Sequence, residues 1–83
     1  MYRIRVDPEI EKKLKKLKVS YKVGVSLILE ELKENPYLGK PLEREFLGKY
    51  SYRIGVFRIV YKIEEKDNAV VILDLDHRST VYN

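Results

Sequence analysis

Apolar and polar residues alternate at the start of the chain, with Tyr2, Ile4 and Val6 on one side and Arg3 and Arg5 on the other. That two-residue period predicts a short strand over residues 2–6. Asp7-Pro8 follows, an N-cap residue and then a proline suited to the first helical position. From there the period lengthens: Ile10, Leu14 and Leu17 recur at helical spacing opposite a run of lysines. Val19-Ser20 interrupts the stripe, and Ser20 is the expected cap of a second helix whose apolar face is Tyr21, Val25, Ile28, Leu29 and Leu32. A glycine inside a helix costs roughly 1 kcal/mol against alanine, so Gly24 is expected to permit a close approach to the first helix or to a sheet.

Asn35-Pro36 ends the second helix, since proline lacks the N–H that continues the ladder and pushes its predecessor out of the helical region. Residues 35–42 read as a loop. Residues 46–54, 56–64 and 69–76 are rich in aromatic and β-branched side chains, with turn signals at Gly55 and at Lys66-Asp67-Asn68 between them. They predict three antiparallel strands. In the middle one Phe57, Ile59, Tyr61 and Ile63 share one face, and Arg58, Val60 and Lys62 share the other. The resulting α+β order is β-α-α-β-β-β, a helix hairpin packed on one face of a mainly antiparallel four-stranded sheet. The opposite face stays free to present side chains.

A chain of 83 residues encloses one core, so residues 1–83 are expected to form a single domain. No apolar run approaches the roughly 18 residues of a membrane span, and no secretory leader precedes Asp7, which leads to the expectation of a cytoplasmic protein without membrane partners. With no cysteine and one histidine, disulfides, thiolate chemistry and ordinary transition-metal sites are not expected. Neither a cofactor nor a metal is called for. The net charge of +4 leans toward a polyanionic partner, and the surplus lies in the first half of the chain.

Three arginines, Arg53, Arg58 and Arg78, fall on or beside the C-terminal strands. Guanidinium groups hold phosphate oxygens bidentately and do not deprotonate, so their convergence would suit phosphate binding and the charge of a phosphorane-like transition state. The competing reading pairs them with Glu43, Glu45, Asp74 and Asp76 in a surface network. His77, the sole imidazole, is a candidate general acid or base, or else a structural hydrogen-bonding group. Tyr82, near the end of the chain, is placed to stack on a base or supply a phenolic proton. Lys12, Lys13, Lys15 and Lys16 form either a phosphate-tracking face or a merely solvated one.

The string Tyr52-Arg53-Ile54-Gly55-Val56-Phe57-Arg58-Ile59-Val60-Tyr61-Lys62-Ile63, followed by Val71-Ile72-Leu73-Asp74-Leu75-Asp76-His77-Arg78-Ser79-Thr80-Val81-Tyr82, resembles the RelE/ParE toxin superfamily, and RelE-type members in particular. The two helices, Asn35-Pro36 and Gly39-Lys40-Pro41-Leu42 fit as well, so the resemblance covers nearly the whole chain. It implies a RelE-like fold and the toxin of a type II toxin-antitoxin system, partnered by a cognate antitoxin. RelE toxins act on mRNA in the ribosomal A site, where the 2′-hydroxyl attacks the adjacent phosphate without a metal. By the same resemblance Arg58 would stabilise the phosphate charge, Arg78 would hold phosphate or leaving group, and Tyr82 would stack on a base or assist proton transfer. Val56 stands where the family commonly has aspartate, and Lys49 and Arg53 are the candidates for the lysines that some active members carry before it; with Lys62 they are the RNA-binding candidates that the resemblance implies. ParE-type members share the fold and inhibit DNA gyrase, which gives the alternative partner; a catalytically inactive antitoxin-binding relative is the third expectation.

Overall fold

A computed structural model describes residues 1–77, so Arg78 and Tyr82 lie outside the described residues. The elements are β1 (Arg3–Val6), α1 (Pro8–Lys15), α2 (Val19–Glu34), β2 (Lys40–Pro41), β3 (Lys49–Ile54), β4 (Phe57–Glu64) and β5 (Ala69–His77), with single 3-10 turns at Pro36–Leu38, Arg44–Phe46 and Glu65–Asp67. The strands form one sheet in the order β1-β5-β4-β3-β2, in which only the β1/β5 pair is parallel. The α+β class and the order of its predicted elements therefore hold. Among the described residues no helix is long and apolar enough to cross a membrane.

Four expectations need correction. The sheet has five strands, not four: Lys40 and Pro41 pair with Ser51 and Tyr50, and Leu42 N–H donates to the Lys49 carbonyl at 2.8 Å. Proline is tolerated there because β2 is an edge strand. The strand expected from residue 46 begins at Lys49, since Glu43 and Arg44 carbonyls accept from Phe46 and Leu47 N–H in a tight turn. Ser20 is not a cap; α2 starts earlier, with an extended Lys18 whose carbonyl accepts from Tyr21 and Lys22 N–H at 3.0 Å. Gly24, finally, makes no close approach, because a Cβ added there would meet nothing within 4 Å.

Asp7 behaves as expected: its Oδ1 accepts from Ile10 N–H at 3.0 Å, with Pro8 in the first turn. The core lies between the helices and one face of the sheet. Ile10, Val25, Ile28 and Leu32 come down from the helices onto Phe57, Ile59, Tyr61, Val70, Ile72 and Leu75. Leu14, Leu17, Tyr21 and Leu29 are half-buried around that cluster, and the Tyr21 ring meets Phe57 edge-on at 4.7 Å.

Tyr61 has no exposed surface, yet it carries a hydroxyl. That hydroxyl donates to the Pro36 carbonyl at 2.7 Å and accepts from Gly39 N–H at 2.9 Å, while the ring stacks on Tyr50 at 5.5 Å. Burial pushes the Tyr61 phenol up from its ordinary pKa, with the Gly39 N–H opposing. A side chain at residue 39 would collide with the Tyr61 oxygen, which is why glycine stands there. The backbone from Pro36 to β2 is thus pinned to the core by one phenol. At the same end, Tyr2 and Tyr37 both donate to the Glu65 carboxylate, tying β1 and the Pro36 turn to the β4–β5 turn. The hydrogen bond to Glu65 is the chief reason the Tyr37 phenol is pushed up to about 12.

Two stability measurements follow from these contacts. Gly24→Ala should raise the urea midpoint at unchanged slope, a gain of about 1 kcal/mol, because the helix gains propensity and the methyl has room. Tyr61→Phe should cost roughly 1–3 kcal/mol, because it leaves the buried Pro36 carbonyl and Gly39 N–H unpaired; a midpoint equal to wild type would show that water replaces the phenol without penalty.

Candidate functional site

The face of β4 turned away from the helices carries Arg58, Val60 and Lys62, all half-buried, between the buried Phe57, Ile59 and Tyr61. Register then decides which side chains on the neighbouring strand join them. On β3, Arg53 stands directly opposite Arg58 and Lys49 directly opposite Lys62, with Ser51 opposite Val60 between the two pairs. Lys40 on β2 stands in turn opposite Ser51. Like charges placed directly opposite each other on a sheet are unfavourable. Two such pairs stand on these adjoining strands, with Asp76 of β5 opposite Arg58 from the other side.

The charges are not equivalent. Lys62 Nζ lies 3.2 Å from Glu64 Oε1, and Arg5 is 3.7 Å from the same carboxylate. The Lys62 hydrogen bond and charge, assisted by Arg5, hold the Glu64 carboxyl below its ordinary pKa. That stabilising contribution is present above the ordinary carboxylate range and is lost as the pH falls through the lowered value. Lys49 Nζ sits over the Phe46 ring, 5.4 Å from its centroid. Arg53 is exposed and makes no ion pair among the described residues.

Beside the two pairs the surface is concave. A cleft of about 440 Å³ has Val60 and Leu73 as its floor, Leu42 and Phe46 as one wall, and Lys49, Arg58 and Asp74 at its rim. The register of β4 and β5 shifts between Val60 and Tyr61, so that Val60 pairs with Asp74 and Tyr61 with Ile72, leaving Leu73 without a direct partner. A bulge of this kind lets two successive residues, Leu73 and Asp74, line the same cleft. Asp74 Oδ1 accepts from Lys13 Nζ at 2.9 Å and from Leu75 N–H at 2.8 Å, which ties α1 to the rim and offsets the carboxylate charge.

The structure therefore brings Arg53, Arg58, Lys49 and Lys62 together on adjoining strands. His77 closes β5 with Phe57 as its register partner, and Asp76 stands opposite Arg58. Sequence reasoning missed Lys40, Leu42 and Phe46, since the first two fell in an expected loop and the third in an expected strand. Gly48, directly after Phe46-Leu47, was the available sign that the chain turns before the strand begins. Among the described residues no cluster of three or more His, Asp or Glu side chains is placed to hold a metal ion.

The like-charge arrangement has a measurable consequence. Arg53→Thr keeps strand propensity and removes one member of the Arg53/Arg58 pair, and it should raise stability by roughly 0.2–1 kcal/mol at low salt. The gain should shrink in high salt, which screens the repulsion in wild type. A lowered urea midpoint at low salt would show that the pair is not repulsive.

Comparison with known proteins places this geometry in a family. A family model described as the ParE toxin of the type II toxin-antitoxin system parDE matches residues 4–82. Toxin RelG of Mycobacterium tuberculosis is 47% identical over 45 residues, covering 54% of this chain and 52% of RelG. Putative toxin RelE4 of Methanocaldococcus jannaschii is 32% identical over 88 aligned positions, covering 99% of this chain and 92% of RelE4. The chain thus spans about half the length of the first relative and nearly all of the second. Among solved structures, the RelBE2 toxin-antitoxin complex of Mycobacterium tuberculosis matches with a TM-score of 0.84 at 35% identity, over 93% of this chain and 98% of the matched one. The isolated E. coli RelE toxin shares the fold with a TM-score of 0.82 at 22% identity, over 99% of this chain and 92% of that one. The chain belongs to the RelE/ParE superfamily of toxins from type II toxin-antitoxin systems.

Proposed function

We propose that the protein is a ribosome-dependent endoribonuclease that cuts mRNA in the ribosomal A site. The observation that carries this reading is the pairing of Arg58 with Arg53, and of Lys49 with Lys62, beside an open cleft on the sheet face that the helices leave uncovered. In the proposed reaction the 2′-oxygen of one ribose attacks the adjacent phosphorus and the bond to the 5′-oxygen of the next nucleotide breaks. The products are a 2′,3′-cyclic phosphate and a 5′-hydroxyl, with one proton lost from the 2′-oxygen and one gained by the 5′-oxygen. Arg58, held on a central strand, supplies fixed positive charge to the phosphorane-like transition state. Arg78 and Tyr82 follow β5; in this reading Arg78 holds the phosphate or leaving group, while Tyr82 stacks on a base or moves a proton. His77 is the imidazole available for proton transfer at the same strand end. Lys49, Arg53 and Lys62 bind the RNA backbone. The chemistry needs no metal, and its setting on ribosomes is cytoplasmic.

A cognate antitoxin is the second partner in this proposal. Its support is that relatives occur in solved complexes with antitoxins, RelBE2 of Mycobacterium tuberculosis among them. A second reading, inhibition of DNA gyrase, is favoured by the ParE description of the matching family model. Primer extension on mRNA with and without ribosomes, beside a gyrase supercoiling assay, separates the two. An inactive antitoxin-binding relative would score in neither.

The decisive variant is Arg58→Ala. Single-turnover cleavage of ribosome-bound mRNA should fall about 100- to 1000-fold, as expected for loss of one preorganised charge donor. Arg58→Ala combined with Arg78→Ala should be less than additive if both serve one transition state. The wild-type rate should be unchanged when EDTA is added at a magnesium level that keeps ribosomes intact. Near wild-type cleavage by a folded Arg58→Ala variant overturns the assignment.

A further inference from the structure

The basic strands account for phosphate binding, but they leave the cleft itself unexplained. Its floor, Val60 and Leu73, is apolar, and its wall includes Phe46, an aromatic ring still 48% exposed. At its rim stands Asp74, a carboxylate held by Lys13 that accepts hydrogen bonds and cannot donate them. Flat aromatic wall, apolar floor and one acceptor, with Lys49 and Arg58 at the edge, do not suit a phosphate. They suit a nucleobase whose own phosphates lie outside the cleft.

Resting on the nuclease reading, we propose that this cleft is a nucleobase subsite: one unstacked base of the single-stranded RNA lies against the Phe46 ring, and Lys49 and Arg58 hold the phosphates that flank it. Several observations favour this occupant. The volume, about 440 Å³, falls within the range of small-ligand sites. The surrounding charge, from Arg53, Arg58, Lys49 and Lys40 on adjoining strands, complements a polyanion. Asp74 is oriented by Lys13 and Leu75 N–H, so it is positioned to accept from a ring N–H or exocyclic amino group of the base. The Lys49 ammonium over Phe46 marks the ring as a π-surface already engaged by a cation. An incoming base displaces it, since base–aromatic stacking is worth more than an exposed cation–π contact. The released ammonium then meets the phosphate that arrives with the base. Phe46 in this role is a binding residue that fixes which nucleotide sits beside Arg58.

The chain has seven tyrosines but no tryptophan, so Phe46→Trp places in the cleft wall a single indole that is excited selectively at the red edge of the absorption band. Its emission should be quenched by a short oligoadenylate at low salt and unaffected by an abasic ribose-phosphate strand of equal length; an equal response to both strands, or none to either, overturns the subsite. The second arm uses Phe46→Leu, verified as folded by circular dichroism and its urea midpoint. Its kcat/KM on ribosome-bound mRNA should drop roughly 5- to 150-fold, the factor that stacking on one base supplies. Wild type should lose a similar factor when the nucleotide at the cut is abasic, and Phe46→Leu should lose little more. A Phe46→Leu enzyme that cleaves like wild type, or that is slow but remains fully sensitive to the abasic message, assigns the ring a structural role and overturns the proposal. Failure of the wild-type protein to cleave mRNA at all would instead remove the nuclease reading, and the fluorescence arm would still decide whether the cleft takes a base.

Discussion

Because successive side chains of a strand point to opposite faces, burying Phe57, Ile59 and Tyr61 of β4 under the helices obliges Arg58, Val60 and Lys62 to face away from them. A slip of one residue would put two cations and a valine into the core, at a cost no small domain could absorb. The apolar half of the strand thus fixes the position of the basic half. Both neighbours take their register from β4, so the placement of Arg53 and Lys49 on one side, and of Asp74 on the other, is inherited from the same packing.

What the sequence disclosed and what it hid divide along that line. Features set by local periodicity were legible: the Asp7 cap, the apolar helix faces, the alternation in β4 and the face carrying Arg58. Features set by pairing between distant residues were not. Nothing around Lys40-Pro41 signals a strand, because two residues give no period, and the pairing with Ser51 and Tyr50 is a tertiary outcome. The opposition of Arg53 and Arg58 was hidden for the same reason, since it depends on how the turn at Gly55 sets register. The bulge that gathers Leu73 and Asp74 leaves no mark in composition, and Phe46 looked like one more β-forming aromatic. Conversely, Gly24 invited a packing explanation that its open surroundings do not support.

Several aromatic hydroxyls do the joining that a larger core would otherwise do. Tyr61 fastens the Pro36–Gly39 backbone from within, while Tyr2 and Tyr37 share Glu65 at the surface, and Tyr50 bridges the two groups through its contacts with Tyr37 and Tyr61. This fastening lies on the path from α2 to β2 and the cleft wall. The wall is therefore anchored at its base, while Leu42 and Phe46 themselves sit in the less buried stretch that follows.

The parallel pairing of β1 with β5 joins Arg3–Val6 to residues 69–72, the largest sequence separation in the sheet. Contacts of that span form late, because the loop they close is long and its entropy must be lost first. The helix hairpin and the β3–β4 hairpin are local and are free to form earlier. Leu73 and Asp74 belong to β5, so the cleft lacks half of its floor and its Asp74 rim until that strand is in place. A partly synthesised chain therefore carries cations without the full concave surface they border, and that surface is completed with β5 rather than growing in proportion to chain length.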